Sequence, residues 1–175
     1  MNTMTNYVSD KFRNFVWTEM YEIERVSRYY QELLKIHKRR AWILRGLTAI
    51  LAASIAFLHF ADTLFVVKII SSLLFLCLYF IEFAIGYTKV IPLSDASRGC
   101  VTVDSMLREL WRDIESASLD DDSVNFRLNQ IIKTKDAIVT SHFVNAKLTE
   151  DRELNIRCAE EAKQSLLHTF QGASA

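Results

Sequence analysis

The sequence predicts an all-α membrane protein. Its parts are a long N-terminal amphipathic helix, a two-helix transmembrane hairpin, and cytosolic C-terminal helices that form a bundle with the first helix. Three observations lead there. Four Gly and one Pro in 175 residues leave little of the punctuation that turns and strands need. The block from Trp42 to Tyr87 has charged side chains only at Arg45, Asp62, Lys68 and Glu82. The densest basic cluster, "KIHKRR" with Lys38, Arg39 and Arg40, stands directly against that block. The expected division is 1–41, 42–87 and 88–175.

The first helix is expected from about Ser9 to Arg40. Phe12, Val16, Met20, Ile23, Tyr30, Leu33 and His37 recur at steps of three, four or seven, which puts them on one face. Ser9 or Asp10 can cap its start. No Gly or Pro interrupts it before Gly46, so the helix can run unbroken into the apolar block.

Two spans are expected in that block, Trp42 to Phe60 and Leu64 to Tyr87, joined by "HFADT". Crossing a ~30 Å hydrocarbon layer takes roughly 20 helical residues. Both segments reach that length with Arg45, His59, Lys68 and Glu82 near their ends, where long basic side chains reach back to headgroups. The alternative is a buried hairpin in a soluble protein, but Leu64–Ile85 lacks the polar side such a helix needs. The basic cluster is expected to stay in the cytoplasm, which places both termini there and the short joint outside. Trp42 and Tyr87 then lie at the inner interface. The first apolar run starts too late in the chain for a cleaved signal peptide.

Beyond Tyr87, "TKVIPLSDAS" holds the only proline and is expected to break the chain. A helix from about Asp95 to Ser116 should follow, with Val103, Met106, Leu107, Leu110, Trp111 and Ile114 inward. After the "SLDDDS" turn, Asp122 or Ser123 can cap a helix running to about Lys147, with Val124, Leu128, Ile131, Ile132, Ile138 and Val139 inward. In "LTEDREL", Thr149 is the expected cap, and Glu150 and Asp151 favour the positive end of the helix dipole. Leu154, Cys158, Ala162, Leu166 and Phe170 then recur every four residues.

Lys plus Arg and Asp plus Glu both number 21, so net charge points to neither nucleic acid nor a membrane. Cys77, Cys100 and Cys158 are scattered and fit no disulfide framework or zinc spacing. His37, His59, His142 and His168 fall in no HExxH-like pattern, and there is no P-loop, GxSxG or GxGxxG. An enzyme is not expected, nor a catalytic residue, cofactor or metal.

Ionisable groups within spans are the first functional candidates. Folding the hairpin about residues 63–64 sets Arg45 level with Glu82, and His59 level with Lys68. Each pair is either an ion pair that lowers the cost of charge, or part of a polar path through an oligomer in which Glu82 carboxylates prefer cations. Ala49 and Ala53, and Ala52 and Ala56, are spaced by four and let helices approach closely in lipid, within one chain or between copies. Lys38, Arg39 and Arg40 are a topology signal, or a site for anionic headgroups or a phosphate-bearing ligand. In "LRELWRD", Arg108, Trp111 and Arg112 either grip a phosphate and stack a base, or form a core tryptophan with arginines paired to Glu109, Asp113 or Glu115.

The long segment "FVWTEMYEIERVSRYYQELLKIHKRRAWILRGL", the hairpin through "FLCLYFIEFAIGYTK", and the later "LRELW" and "TEDRELNIRCAEEAK" together resemble the SLATT family. These are bacterial two-span effectors of nucleotide-signalling and other anti-phage systems. The resemblance is one of layout over nearly the whole chain. It implies an oligomer that forms a pore or disrupts the bacterial inner membrane on infection, halting growth or killing the cell. It further implies membrane lipid as surroundings and a trigger that is a cyclic oligonucleotide, a partner protein or release from an inhibitor. It carries over no catalytic residue and no nucleic acid polymer as partner. The competing expectation is a membrane-anchored scaffold that recruits a cytosolic partner without changing permeability.

Overall fold

The computed structural model describes residues 8–60, 65–146 and 151–171, with side chains for 8–58, 65–138 and 151–170. Among them every element is helical: α1 Asp10–Phe60, α2 Phe65–Ile85, α3 Ile91–Glu115, α4 Asp121–Ala146 and α5 Arg152–Gln171, with one π-helical turn, Gly86–Val90, between α2 and α3. Ala61, Asp62 and Thr63 of the "HFADT" joint, Thr149, Glu150 and the side chains of His59, Val139 and His142 lie outside the described residues.

Two compact units divide the chain. One comprises residues 1–31 with 94–175, the other 32–93. The expected boundaries at 41/42 and 87/88 therefore fall inside the second unit. α1 is one unbroken helix contributing to both.

The first unit is organised around apolar stripes at helical spacing. Val16, Met20, Ile23 and Tyr30 of α1, Val103, Leu107, Leu110 and Ile114 of α3, Val124, Leu128 and Ile131 of α4, and Leu154, Cys158, Ala162 and Leu166 of α5 are all buried. Met106, expected inward, is 40% exposed instead. Its side chain lies one residue short of Leu107, on the α3 flank that borders solvent.

Helix ends in this unit are closed by specific groups. Asp120 Oδ1 accepts from the Ser123 amide at 3.0 Å, so Asp120 caps α4, not Asp122 or Ser123. The cap also holds the Asp120 carboxyl below its usual range through its hydrogen bonds with Ser123. That leaves Asp121 free to accept the Ser9 amide at 2.9 Å, tying the chain before α1 to α4. Asp151 Oδ1 accepts from the Leu154 amide at 3.0 Å and caps α5, while its own amide donates to the Tyr29 hydroxyl at 2.9 Å. α3 ends in a Schellman arrangement: Ser118 donates to the Asp113 carbonyl and Ala117 to that of Ile114, with Ala117 left-handed at φ 53°.

The expected break at the proline does not occur. Ile91 donates its amide to the Gly86 carbonyl, a five-residue bond that widens one turn. Pro92 follows as the second residue of α3, where the widened turn before it shifts the bonding by one residue and lets the helix continue past its missing N–H. The chain thus stays helical from Phe65 to Glu115, and α3 begins before Asp95.

A close approach fixes α3 against α4. A Cβ placed on Gly99 would stand 2.6 Å from Ile138 Cγ2, and a β-branched methyl cannot swing aside freely. Gly99→Val should lower stability by about 2–3 kcal/mol through overpacking. Chemical unfolding of the purified chain checks it. An unchanged midpoint would show that the two helices are not in contact there.

The second unit contains the apolar hairpin. No residue of α2 is buried, and on α1 between Trp42 and Leu58 only Thr48 is. Partial burial recurs at Ala41, Leu44, Thr48, Leu51, Ile55 and Leu58 on one arm, and at Lys68, Ser71, Phe75, Leu78, Glu82 and Ile85 on the other. Steps of three and four mark the narrow seam of a two-helix coiled coil. Everything else on both arms faces outward, including Ile50, Phe57, Ile70, Leu74, Phe80 and Phe83. Hydroxyls within these arms bond back to their own helices: Thr48 to Leu44, Ser54 to Ile50 and Thr88 to Ala84. Two helices in this chain are thus long and apolar enough to cross a membrane.

Candidate functional site: the charged end of the hairpin

Arg45 lies on the outward flank of α1 near Thr48, and Glu82 on the seam face of α2. Arg45 Nε donates to Glu82 Oε1 at 2.8 Å. The Arg45 side chain is 72% exposed and the Glu82 side chain only 16%, so the arginine reaches over the seam to a largely covered carboxylate. Two shallow grooves flank the pair. One, of about 280 Å³, lies among Tyr79, Glu82, Phe83, Tyr87 and Ile91. The other, of about 310 Å³, lies among Lys38, Trp42, Arg45, Gly86 and Val90. Both run along the π turn, where a widened backbone removes the regular side-chain row.

This end of the hairpin is strongly basic. Lys38, Arg39 and Arg40 are exposed, and Lys89 joins them from the opposite arm. Burial, then the charges of Arg40 and Lys89, hold the His37 imidazole below its ordinary value. Cations from both arms therefore act on one point. At the opposite end, Lys68 sits on the seam and borders an open apolar groove with Phe65, Ile69, Leu73 and Leu76.

Ala49, Ala52, Ala53 and Ala56 are all exposed. They lie away from the α1–α2 seam formed by the described residues.

The "LRELW" residues lie in the other unit. Arg108 Nε donates to Asp104 at 2.7 Å and its Nη2 to Glu24 at 3.2 Å. Burial pulls the Arg108 guanidinium down, but its bonds to Asp104 and Glu24 outweigh this and raise it. Glu24 is also bound by Arg28, which reaches Glu161. Trp111 Nε1 donates to Glu115 at 2.8 Å. Its ring meets Trp17 and Phe170, each with centroids 5.8 Å away. Arg112 is exposed on another face. The structure thus commits Arg108 to carboxylates and Trp111 to an aromatic cluster, and brings neither together with Arg112 around a cavity. Asp113 and Glu109, expected as local partners of these arginines, face Arg127 of α4. The Trp17–Trp111–Phe170 cluster joins three helices far apart in sequence; only its apolar residue types were visible beforehand.

No group of His, Cys, Asp and Glu suited to a metal occurs among the described residues. Comparison of the chain with protein-family models, with curated proteins and with solved structures finds no match.

Proposed function

We propose that this chain is a signal-controlled, two-span membrane effector of bacterial anti-phage defence, oligomeric in the inner membrane. The observation that carries the membrane part is the hairpin's surface: outside the narrow seam, the large apolar side chains of both arms are exposed. In water such a surface would associate. In lipid it is the ordinary exterior of a span. The basic cluster keeps both termini cytoplasmic. The unit of residues 1–31 and 94–175 lies in the cytoplasm and receives the trigger, a cyclic oligonucleotide or a signalling protein.

Two helices enclose no channel, so permeation requires several copies. The outward alanines Ala49, Ala52, Ala53 and Ala56 suit contact between protomers. A trigger opens the assembly by binding one arrangement better than another. The defence role comes from the resemblance in layout to SLATT effectors.

Expression from a tight promoter in bacterial cells carrying a potential-sensitive dye tests the reading, with and without phage challenge. Depolarisation together with growth arrest is expected, and Ala53→Phe should abolish it while leaving the chain in the membrane. A potential that persists through overexpression and infection would refute it.

A further inference from the structure

The groove between Lys38, Trp42 and Arg45 on α1 and the π turn on the opposite arm has a ligand character that the ion pair does not use up. Lys38, Trp42 and Arg45 are spaced i, i+4, i+7 and so share one helix face. Across from them, Gly86 contributes no side chain, and nothing stands within 4 Å of where its Cβ would be. The open space is about 310 Å³. Arg45 is already committed to Glu82. Lys38 is exposed and has no ion-pair partner among the described residues, so the groove keeps one uncompensated positive charge. Trp42 is 75% exposed and Tyr87 67%; both are amphipathic rings of the kind that settle at a lipid–water boundary.

We infer that this groove takes the phosphate of an anionic lipid headgroup, held between the Lys38 ammonium and the Arg45 guanidinium, with its acyl chains running into the hydrocarbon along the outward faces of Trp42 and Phe83. Arg45 can donate from its remaining guanidinium N–H groups while its Nε stays on Glu82. Lys38 supplies the point charge. The bound lipid would bridge α1 to the π turn and set the spacing of the two arms at their charged end. A lipid is favoured over a free phosphate because exposed apolar surface continues from the groove toward the hydrocarbon, through Phe83 at 62% exposed, which borders the adjoining groove with Arg45, Glu82 and Gly86. The inference rests on the membrane reading and adds a specific site to it.

The test uses the full chain in micelles of an uncharged detergent, titrated with short-chain phosphatidylglycerol, short-chain phosphatidylcholine and inorganic phosphate. Binding is read by native mass spectrometry. Phosphatidylglycerol should bind at least about fivefold more tightly than phosphatidylcholine, the scale set by one lysine near a charged headgroup. Lys38→Gln should remove that preference, whereas Lys38→Arg should keep it. Arg39→Gln, whose side chain does not line the groove, should also keep it. Equal losses in the Lys38→Gln and Arg39→Gln chains would mean diffuse attraction by the cluster and would overturn the site. So would the absence of any preference, or displacement of the lipid by equimolar inorganic phosphate. If Lys38→Gln lowers helicity by circular dichroism, Lys38→Met keeps the apolar stem, removes the charge and should remove the preference; an undiminished preference there overturns the site. A chain that stays dissolved without detergent defeats the membrane reading itself, while one that needs detergent but shows no preference defeats only the headgroup site.

Discussion

Arg45→Leu should destabilise the hairpin about threefold more, in free energy, than Glu82→Leu. Removing the arginine strands a carboxylate that is only 16% exposed. An uncompensated charge in such a place costs about 3 kcal/mol. Removing the glutamate strands a guanidinium that is 72% exposed. A long side chain in that position turns toward water or headgroups, so the loss falls to about 1 kcal/mol, the value of an exposed pair. The double variant Arg45→Leu/Glu82→Leu should recover most of the loss, because two neutral side chains on a seam leave nothing unpaired. Thermal unfolding of the four chains in detergent micelles closes the cycle. Equal losses in the two single variants, or a double variant as weak as the sum of both, would show that the pair does not act as a unit.

The second large effect concerns the outward face of α2. Leu74 lies near the middle of Phe65–Ile85 and is 52% exposed. In water, Leu→Arg at an exposed helix position changes stability by no more than about 0.5 kcal/mol. At the centre of a lipid-embedded helix, one arginine costs about 2.5–3.5 kcal/mol of insertion free energy. Leu74→Arg should therefore cut the membrane-integrated fraction steeply in a translation-coupled insertion assay. Phe126→Arg is the control: Phe126 is 65% exposed on α4 in the other unit, and its replacement should integrate like the parent. Indistinguishable behaviour of the two variants would remove the lipid from the account.

The register of the hairpin could be read from the chain because both arms are nearly charge-free. With so few charged side chains, placing the fold at residues 63–64 pairs Arg45 with Glu82, and the structure has them in contact. The apolar stripes of α1, α3, α4 and α5 were legible for a related reason. Burial at helical spacing leaves a strong period, and long helices average over local noise. Residue-level details at helix ends were not. Asp120, Asp121 and Asp122 are chemically equivalent candidates, and only the path of the chain into α4 selects Asp120 as the cap. Ala117 occupies a left-handed position that ordinarily signals itself with glycine.

Pro92 misled for a physical reason. Proline ends a helix when its ring and missing amide conflict with a regular four-residue bond, but a π turn just before it shifts the bonding by one residue and lets the helix resume. The roles of Arg108 and Trp111 turned on partners distant in sequence. Asp104 was within local reach, whereas Glu24, Trp17 and Phe170 come from other helices. The outward position of the alanines depended on which face of α1 forms the seam, and that is fixed by α2 as much as by α1.

Cys77 offers the most direct measurement of whether lipid surrounds the hairpin. It is exposed past the middle of α2, whereas Cys100 and Cys158 are buried in the other unit; burial also pushes the Cys100 thiol up to about 11. A membrane-impermeant maleimide reacts with thiolate at a water-accessible surface. Applied to spheroplasts and to inverted vesicles, it should leave Cys77 unmodified from either side, and all three thiols should react once the membrane is dissolved in denaturing detergent. Rapid modification of Cys77 in intact preparations, at the rate of a free thiol in water, would contradict the account.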